Sequence, residues 1–144
     1  MARSAFTLIE LLLVLVILGI LAGIVIPKLV SATAGADSNA AQMHLTTVRR
    51  ALERYKTQHN DNYPPSDQLW AVMTQKTNAN GTLNESGLFG PYLVSAPRNP
   101  FNGSITIAGD TPAADDGWVY DLTSTPVLSL AGFDEAEGVY TAPQ

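Results

Sequence analysis

Two different hydrophobic patterns follow each other in the first sixty residues. Residues 6–26 form an almost unbroken apolar run in which Glu10 is the only charged residue. A helix of this length spans about 32 Å, which is enough to cross the hydrocarbon core of a bilayer. A carboxylate within such a segment costs about 2.5–3.5 kcal/mol to insert and is usually retained for a function. The run therefore predicts a transmembrane helix with a functional carboxylate near its start.

The second pattern is amphipathic and begins at residue 41. Its apolar residues recur at alternating four- and three-residue spacing, which places them in one stripe along a helix. This stripe consists of Ala41, Leu45, Val48, Leu52 and Tyr55. The Asn, Asp and Pro residues at 60–65 end the pattern. We expect a single long helix over residues 6–59, kinked at Pro27, whose second half packs on a small globular domain.

The remaining chain predicts short elements joined by turns. A short helix is expected at 67–73 with Ser66 as its N-cap, and a polar loop at 77–87. Segments 104–108, 117–122 and 127–130 have strand-like composition, and Asn102 and Gly103 form a good turn pair. We expect three or four short antiparallel strands packed against the long helix.

Together these elements predict an α+β fold with four segments. Residues 1–5 precede the apolar run, and 6–27 are the transmembrane helix. Residues 28–62 are the amphipathic half of the stem helix, and 63–144 are a small globular α+β domain. The fold is a long kinked N-terminal helix packed on a small antiparallel β-sheet.

Composition excludes several functional classes. The net charge of −5 argues against a general nucleic-acid binder, which should present a basic face. The chain has no Cys, so it has no disulfides, no thiolate metal site and no thiol nucleophile. It also lacks the nucleophile-elbow, Walker and zinc-protease motifs. We therefore expect a protein that is not an enzyme.

The string FTLIE at residues 6–10, followed by the apolar helix, resembles the N-terminus of type IV prepilins and type II secretion pseudopilins. This resemblance implies that residues 1–5 are a leader peptide and that 6–27 are also the assembly helix. It further implies that a prepilin peptidase cuts between Ala5 and Phe6 and that the new amino group of Phe6 is methylated. Ala5 stands where the family usually has Gly. Glu10 matches the family's assembly carboxylate, and Pro27 matches its helix-distorting proline.

A second resemblance covers the globular part. The Tyr-Pro step at 63–64, GPYL at 90–93, PRNPFNG at 97–103 and WVY at 118–120 are similar to the major pseudopilins of type II secretion. The resemblance implies a pilin-like fold. It also implies that copies of this chain form a filament, that other pseudopilins join it, and that an inner-membrane assembly platform builds it. It also implies a single-pass protein of the inner membrane lipid bilayer, with a cytoplasmic N-terminus and a periplasmic C-terminal domain.

The family resemblance also implies a calcium site in a C-terminal loop. Two acidic clusters are available, one at Asp115, Asp116 and Asp121 and the other within residues 134–137. Calcium takes six to eight oxygen ligands, which carboxylates and loop carbonyls can supply together. We take the first cluster as the Ca²⁺ candidate, and the alternative is that these acids are solvated turn residues.

The position of Glu10 suggests how subunits assemble. In a filament, the amino group of Phe6 in one subunit could lie beside Glu10 of a neighbour, because opposite charges attract strongly in a low-dielectric bundle. Gly19 and Gly23 could let neighbouring helices approach closely, or they reflect ordinary membrane-helix composition. With the family resemblance, this mechanism predicts that the chain is a structural subunit of a type II secretion filament.

Two other functions fit parts of the sequence. One is a type IV pilin or minor pilin for adhesion, motility or DNA uptake. The other is a monomeric membrane-anchored domain that binds a ligand through Trp70 or Trp118. If the chain is instead a secretion filament subunit or a pilin, these tryptophans are core anchors. His44 and His59 are then ordinary helix-surface or helix-end residues.

Overall fold

The computed structural model describes residues 7–109, 111–124 and 127–143, with the side chains of 25–34 outside that description. The chain divides into two units, Met1–Ala36 and Asp37–Gln144. Helix α1 spans Leu8–Gln58 and contributes residues to both units. The long helix predicted from the two apolar patterns is therefore confirmed over the described residues.

Helix α1 ends where the Asn- and Asp-rich stretch was expected to stop it. Asn60 and Asp61 adopt left-handed conformations, with φ of 54° and 62°, which these two residue types tolerate better than most. The amide of Asp61 donates to the carbonyl of Lys56 at 3.0 Å. This 6→1 hydrogen bond is typical of a helix that terminates through a left-handed residue.

The amphipathic stripe of α1 lies in the core of the second unit. All five of its residues are buried, and none is more than 3% exposed. They pack in one cluster with Ala51 of the same helix and with residues from the later elements, namely Leu69, Val72, Met73, Trp118, Tyr120, Leu128, Leu130 and Phe133. The prediction that the second half of the helix carries the globular core is confirmed.

The short helix is present, but its predicted cap is wrong. A 3-10 turn over Ser66–Gln68 leads into α2, which spans Leu69–Thr74. The 3-10 turn follows Pro65 and α2 follows Gln68, and no described side chain caps either start. Ser66 is not the N-cap because the intervening 3-10 turn moves the start of the α-helix from residue 67 to Leu69.

The described strands form two separate two-stranded antiparallel sheets. Strands β1 (Trp118–Tyr120) and β2 (Leu128–Leu130) pair with each other, so the expected strands at 117–122 and 127–130 are confirmed in shorter form. Strands β3 (Phe133–Asp134) and β4 (Val139–Tyr140) form a second hairpin that the sequence did not predict. The overall α+β class holds, with two small sheets in place of one.

The strand expected at 104–108 is wrong. This segment contacts β1 through a single parallel bridge between Ile107 and Trp118. The carbonyl of Thr106 accepts from both Gly117 and Trp118, at 3.0 and 2.9 Å. The hydroxyl of Ser104 accepts from the amide of Thr106 at 3.1 Å. This amide therefore bonds to a side chain and not to a neighbouring strand, as it would in a regular β-sheet. The alternating composition therefore produces an irregular edge beside β1.

Candidate functional site in the N-terminal helix

The first part of α1 exposes apolar side chains in every direction. All the large apolar residues between Leu8 and Ile24 are 48–82% exposed. A helix that is apolar on all sides is normally buried in a larger protein or in a membrane. This surface is the largest uncovered apolar feature among the described residues and is therefore the candidate functional site.

Within the described residues, no helix is both long enough and apolar enough to cross a membrane. The transmembrane assignment of residues 6–27 accordingly stays a prediction. The predicted cleavage residues Ala5 and Phe6 lie outside the described residues. Helix α1 passes through Pro27, but the predicted kink falls in the stretch whose side chains are outside the description.

Glu10 forms a capping box with Thr7 at the start of α1. The amide and the hydroxyl of Thr7 both donate to Oε2 of Glu10 at 2.8 Å. The amide of Glu10 in turn donates to the hydroxyl of Thr7 at 3.3 Å. This reciprocal arrangement satisfies amide groups that have no partner within the helix. Sequence reasoning missed the role of Thr7, although its three-residue spacing to Glu10 is the signal of a capping box.

The capping box leaves half of the carboxylate available. Both hydrogen bonds from Thr7 converge on Oε2 of Glu10, and no described residue donates to Oε1. Glu10 can therefore cap its own helix and still accept a hydrogen bond from another molecule. Gly19 and Gly23 lie further along the same surface, and a Cβ added at either would meet no described atom within 4 Å.

The calcium candidates are engaged in their own turns. Oδ2 of Asp116 accepts from the amide of Ala113 at 2.8 Å, and Asp115 is exposed. Oδ1 of Asp121 accepts from the hydroxyl and the amide of Thr123 at 2.7 and 2.8 Å, and these bonds lower the pKa of Asp121. Among the described residues, no group of three or more acidic or His side chains is placed to hold a metal ion. The calcium site at these residues gains no support from the geometry.

The two tryptophans are parts of the packed interior. Trp118 is fully buried, and its Nε1 donates to the carbonyl of Pro97 at 3.0 Å. Trp70 is half-buried against the core, packs edge-on to Trp118 at 5.5 Å between ring centroids, and donates to the carbonyl of Ile105 at 2.7 Å. These contacts use the indole N–H groups that a ligand would otherwise meet. Trp118 is confirmed as a core anchor.

The two histidines have different surroundings. His59 follows the last residue of α1, as predicted, but it is buried and stacks on Tyr55 with 3.8 Å between ring centroids. Its Nε2 lies 3.1 Å from the hydroxyl of Thr77. His44 is half-buried and its Nδ1 lies 3.0 Å from the carbonyl of Arg98. Both rings fix loops to α1, and they do not form one site.

Comparison with known proteins assigns both parts of the chain. Residues 1–26 match the family model described as the prokaryotic N-terminal methylation motif. Residues 28–138 match the model described as type II secretion system (T2SS), protein G. No solved structure gave a significant match.

Three relatives illustrate the similarity, and each is named type II secretion system core protein G. The protein from Vibrio cholerae is 36% identical over 69% of this chain and 66% of its own length. The protein from Klebsiella michiganensis is 36% identical over 97% of this chain and 94% of its own length. The protein from Escherichia coli is 38% identical over 85% of this chain and 80% of its own length.

Proposed function

Because the chain belongs to the type II secretion system protein G family, we propose that it is a structural pseudopilin subunit that polymerises through its N-terminal helix into a periplasmic secretion filament. The observation that carries this proposal is the exposed apolar surface of residues 8–24. An apolar patch of this extent marks an interaction surface for protein or lipid. Neighbouring copies of the same helix would cover it in a filament.

Processing precedes assembly in this proposal. The match of residues 1–26 to the methylation motif supports cleavage between Ala5 and Phe6 by a prepilin peptidase, followed by methylation of Phe6. The apolar helix holds the subunit in the inner-membrane bilayer, with its N-terminus cytoplasmic and its C-terminal domain periplasmic. An assembly platform in that membrane then transfers the subunit to the filament beside other pseudopilins.

Glu10 supplies the specific contact of assembly. The new amino group of Phe6 in an incoming subunit is placed beside Oε1 of Glu10 in a neighbour, while Oε2 remains bonded to Thr7. Opposite charges in a bundle of apolar helices attract strongly, and an unpaired carboxylate there is heavily penalised. The charge pair fixes the axial register, and the apolar surface supplies the packing area.

The first test is the intact mass of the protein extracted from membranes of cells that contain a prepilin peptidase. We expect a mass that lacks residues 1–5 and carries one added methyl group. A full-length mass would contradict the processing step and would favour a membrane-anchored domain that works as a monomer.

The second test separates the two uses of Glu10 by three substitutions. Glu10→Gln removes the charge but keeps a residue that can complete a capping box. Thr7→Val removes the cap but keeps the charge. Glu85→Gln removes one carboxylate from an exposed position outside α1 and serves as the matched control.

Filament yield after shearing and sedimentation distinguishes the outcomes. We expect Glu10→Gln to lower the yield at least tenfold, Thr7→Val to lower it only a few-fold, and Glu85→Gln to leave it unchanged. All three proteins should be cleaved and methylated normally. A normal yield with Glu10→Gln together with a strong loss with Thr7→Val would show that Glu10 acts as a helix cap and would overturn the charge-pairing mechanism.

A further inference from the structure

One arginine of α1 binds the C-terminal segment, residues 127–143, through four hydrogen bonds. Nε and Nη2 of Arg49 donate to the carbonyl of Leu128 at 2.9 and 2.6 Å. Nη1 and Nη2 donate to the two carboxylate oxygens of Glu135 at 2.7 and 2.5 Å. Planar guanidinium groups form such paired bonds with carboxylates more strongly and more specifically than point charges do.

The neighbouring acid is committed to the turn between β3 and β4. Oδ1 of Asp134 accepts from the amides of Ala136 and Glu137 at 2.8 and 3.1 Å. The carbonyl of Asp134 also accepts from the amide of Gly138 at 2.8 Å. Asp134 therefore closes the hairpin through its side chain and its main chain.

The same segment is held at three further points. The amide of Thr141 donates to the carbonyl of Gly132 at 2.8 Å. The ring of Tyr140 stacks on Phe101 with 4.4 Å between centroids, and the hydroxyl of Ser38 donates to the carbonyl of Gly138 at 2.9 Å. The C-terminal segment is thus fixed to the rest of its unit by contacts that need no added ligand.

These contacts use three of the six carboxylate oxygens that Asp134, Glu135 and Glu137 could offer to a calcium ion. Calcium in proteins takes six to eight oxygen ligands, and carboxylates are prominent among them. Both oxygens of Glu135 are bonded to Arg49, and one oxygen of Asp134 is bonded to two amides. A divalent cation at this place would also be repelled by the adjacent guanidinium. The donor set does not fit the calcium site that the family resemblance implies.

We propose that the guanidinium of Arg49 takes the structural place of a bound metal ion in the C-terminal segment. The segment then keeps its fold without calcium. The guanidinium joins a carbonyl of β2 to a carboxylate of the following hairpin, which is the cross-link that a bound cation would make. The guanidinium is covalently part of the chain, so this cross-link does not depend on the concentration of a free ion. The proposal concerns the fold of the second unit and is independent of filament assembly.

The test uses the purified full-length chain in detergent, with thermal unfolding followed by tryptophan fluorescence. Trp118 is buried in the second unit, so its emission reports the unfolding of that unit. We expect the same midpoint in excess EDTA and in millimolar calcium. Calorimetric titration with calcium chloride should give no saturable heat.

Matched arginine variants test the other half of the proposal. Arg49→Met should lower the midpoint by about 4–8 °C, which is typical of a small domain that loses one strong charged interaction. Arg50→Met removes the same charge from the next, exposed position of the helix and should lower it by less than about 2 °C. If Arg49→Met does not fold, Glu135→Gln offers a milder break of the same pair and should also lower the midpoint.

Two results would overturn the proposal. One is saturable calcium binding by the unmodified chain together with a higher midpoint in calcium than in EDTA. The other is equal stability of the Arg49→Met and Arg50→Met proteins.

A double variant tests the pairing itself. Arg49→Met combined with Glu135→Gln should be no less stable than Arg49→Met alone, because the pair is already broken. Full additivity of the two losses of stability would contradict the cross-link.

Discussion

Two stretches of one helix differ in the arrangement of their apolar residues and in the surroundings of those residues. The large apolar residues of 8–24 are at least 48% exposed, whereas the stripe from Ala41 to Tyr55 is at most 3% exposed. The difference lies in how the apolar residues are arranged. A single stripe can be covered by one small domain, but a helix that is apolar on all sides must be surrounded.

The polar groups of the two regions differ in the same way. In the second unit, every buried side-chain nitrogen or oxygen among the described residues has a hydrogen-bond partner within the chain. At the start of α1, the only carboxylate is bonded to Thr7 through one of its two oxygens. The buried polar groups of the globular unit are thus paired within the chain, whereas the apolar half of α1 leaves a surface that lipid or a neighbouring subunit can cover.

The largest expected effect comes from equal truncations in the two stretches. Leu45→Ala should lower the free energy of unfolding by about 2–5 kcal/mol, because Leu45 is 1% exposed and its loss leaves a cavity. Leu13→Ala should leave it nearly unchanged, since Leu13 is 60% exposed. Denaturant unfolding of the full-length protein in detergent, followed by tryptophan fluorescence, measures both. Comparable losses for the two variants would contradict the division between the regions.

A smaller effect is expected where a buried amide holds the polar interior together. Asn99 is fully buried, donates to the carbonyl of Gly117 at 3.0 Å and accepts from the amide of Phe101 at 2.9 Å. Asn99→Ala should lower the free energy of unfolding by about 1–3 kcal/mol because it removes both hydrogen bonds of a fully buried side chain. Asn102→Ala is the control: Asn102 also bonds to backbone groups, but it is exposed. A larger loss for Asn102 would show that burial does not decide the cost.

The sequence predicted the features that depend on local periodicity. The extent of α1, its buried stripe, and strands β1 and β2 follow from residue spacing that neighbouring positions already show. The processing motif was also accessible because it is one contiguous string near the N-terminus, and the family was accessible through the separate sequence blocks between residues 63 and 120. The lone charge in the apolar run also predicts a functional role for Glu10, and that role stays a prediction.

The errors arose where distant residues decide the structure. Arg49 lies off the apolar stripe and resembles a solvated charge, yet its partner Glu135 is 86 positions away. Strands β3 and β4 have two residues each, too few for alternation to be visible. Segment 104–108 alternates like a strand, but its pairing depends on the position of Trp118 and on the hydroxyl of Ser104. No local pattern contains this information.

Alkaline pH should destabilise the globular unit, and one tyrosine reports this. The hydroxyl of Tyr120 donates to the carbonyl of Pro64 at 2.9 Å, and burial raises the pKa of Tyr120. A raised pKa in the folded state means that this contribution to stability is complete below the unfolded pKa of about 10 and is lost as pH rises above it. Unfolding midpoints should therefore fall at alkaline pH.

Tyr120→Phe tests that assignment directly. The variant should lose about 1 kcal/mol at neutral pH, because it lacks the hydrogen bond to Pro64. It should also show a shallower fall in stability above pH 10 than the unmodified chain, since one titrating group is absent. Denaturant unfolding across the alkaline range gives both quantities. Parallel pH profiles for the two proteins would mean that Tyr120 does not titrate with unfolding.

The smallest expected effect on stability is at Gly19, and it makes the comparison between the regions sharpest. A Cβ at Gly19 meets no described atom within 4 Å, so Gly19→Ala should leave the unfolding midpoint unchanged. Gly103→Ala is the control: Gly103 also has open space around it, but its φ of 71° makes any side chain cost about 1 kcal/mol.

A larger side chain at Gly19 tests the contact between neighbouring helices. Gly19→Leu should leave unfolding unchanged while reducing filament yield, because small residues let helices approach closely in apolar surroundings. Normal filaments with Gly19→Leu would mean that the stems do not approach closely at this residue, and the apolar surface would then be covered by side-chain contacts alone.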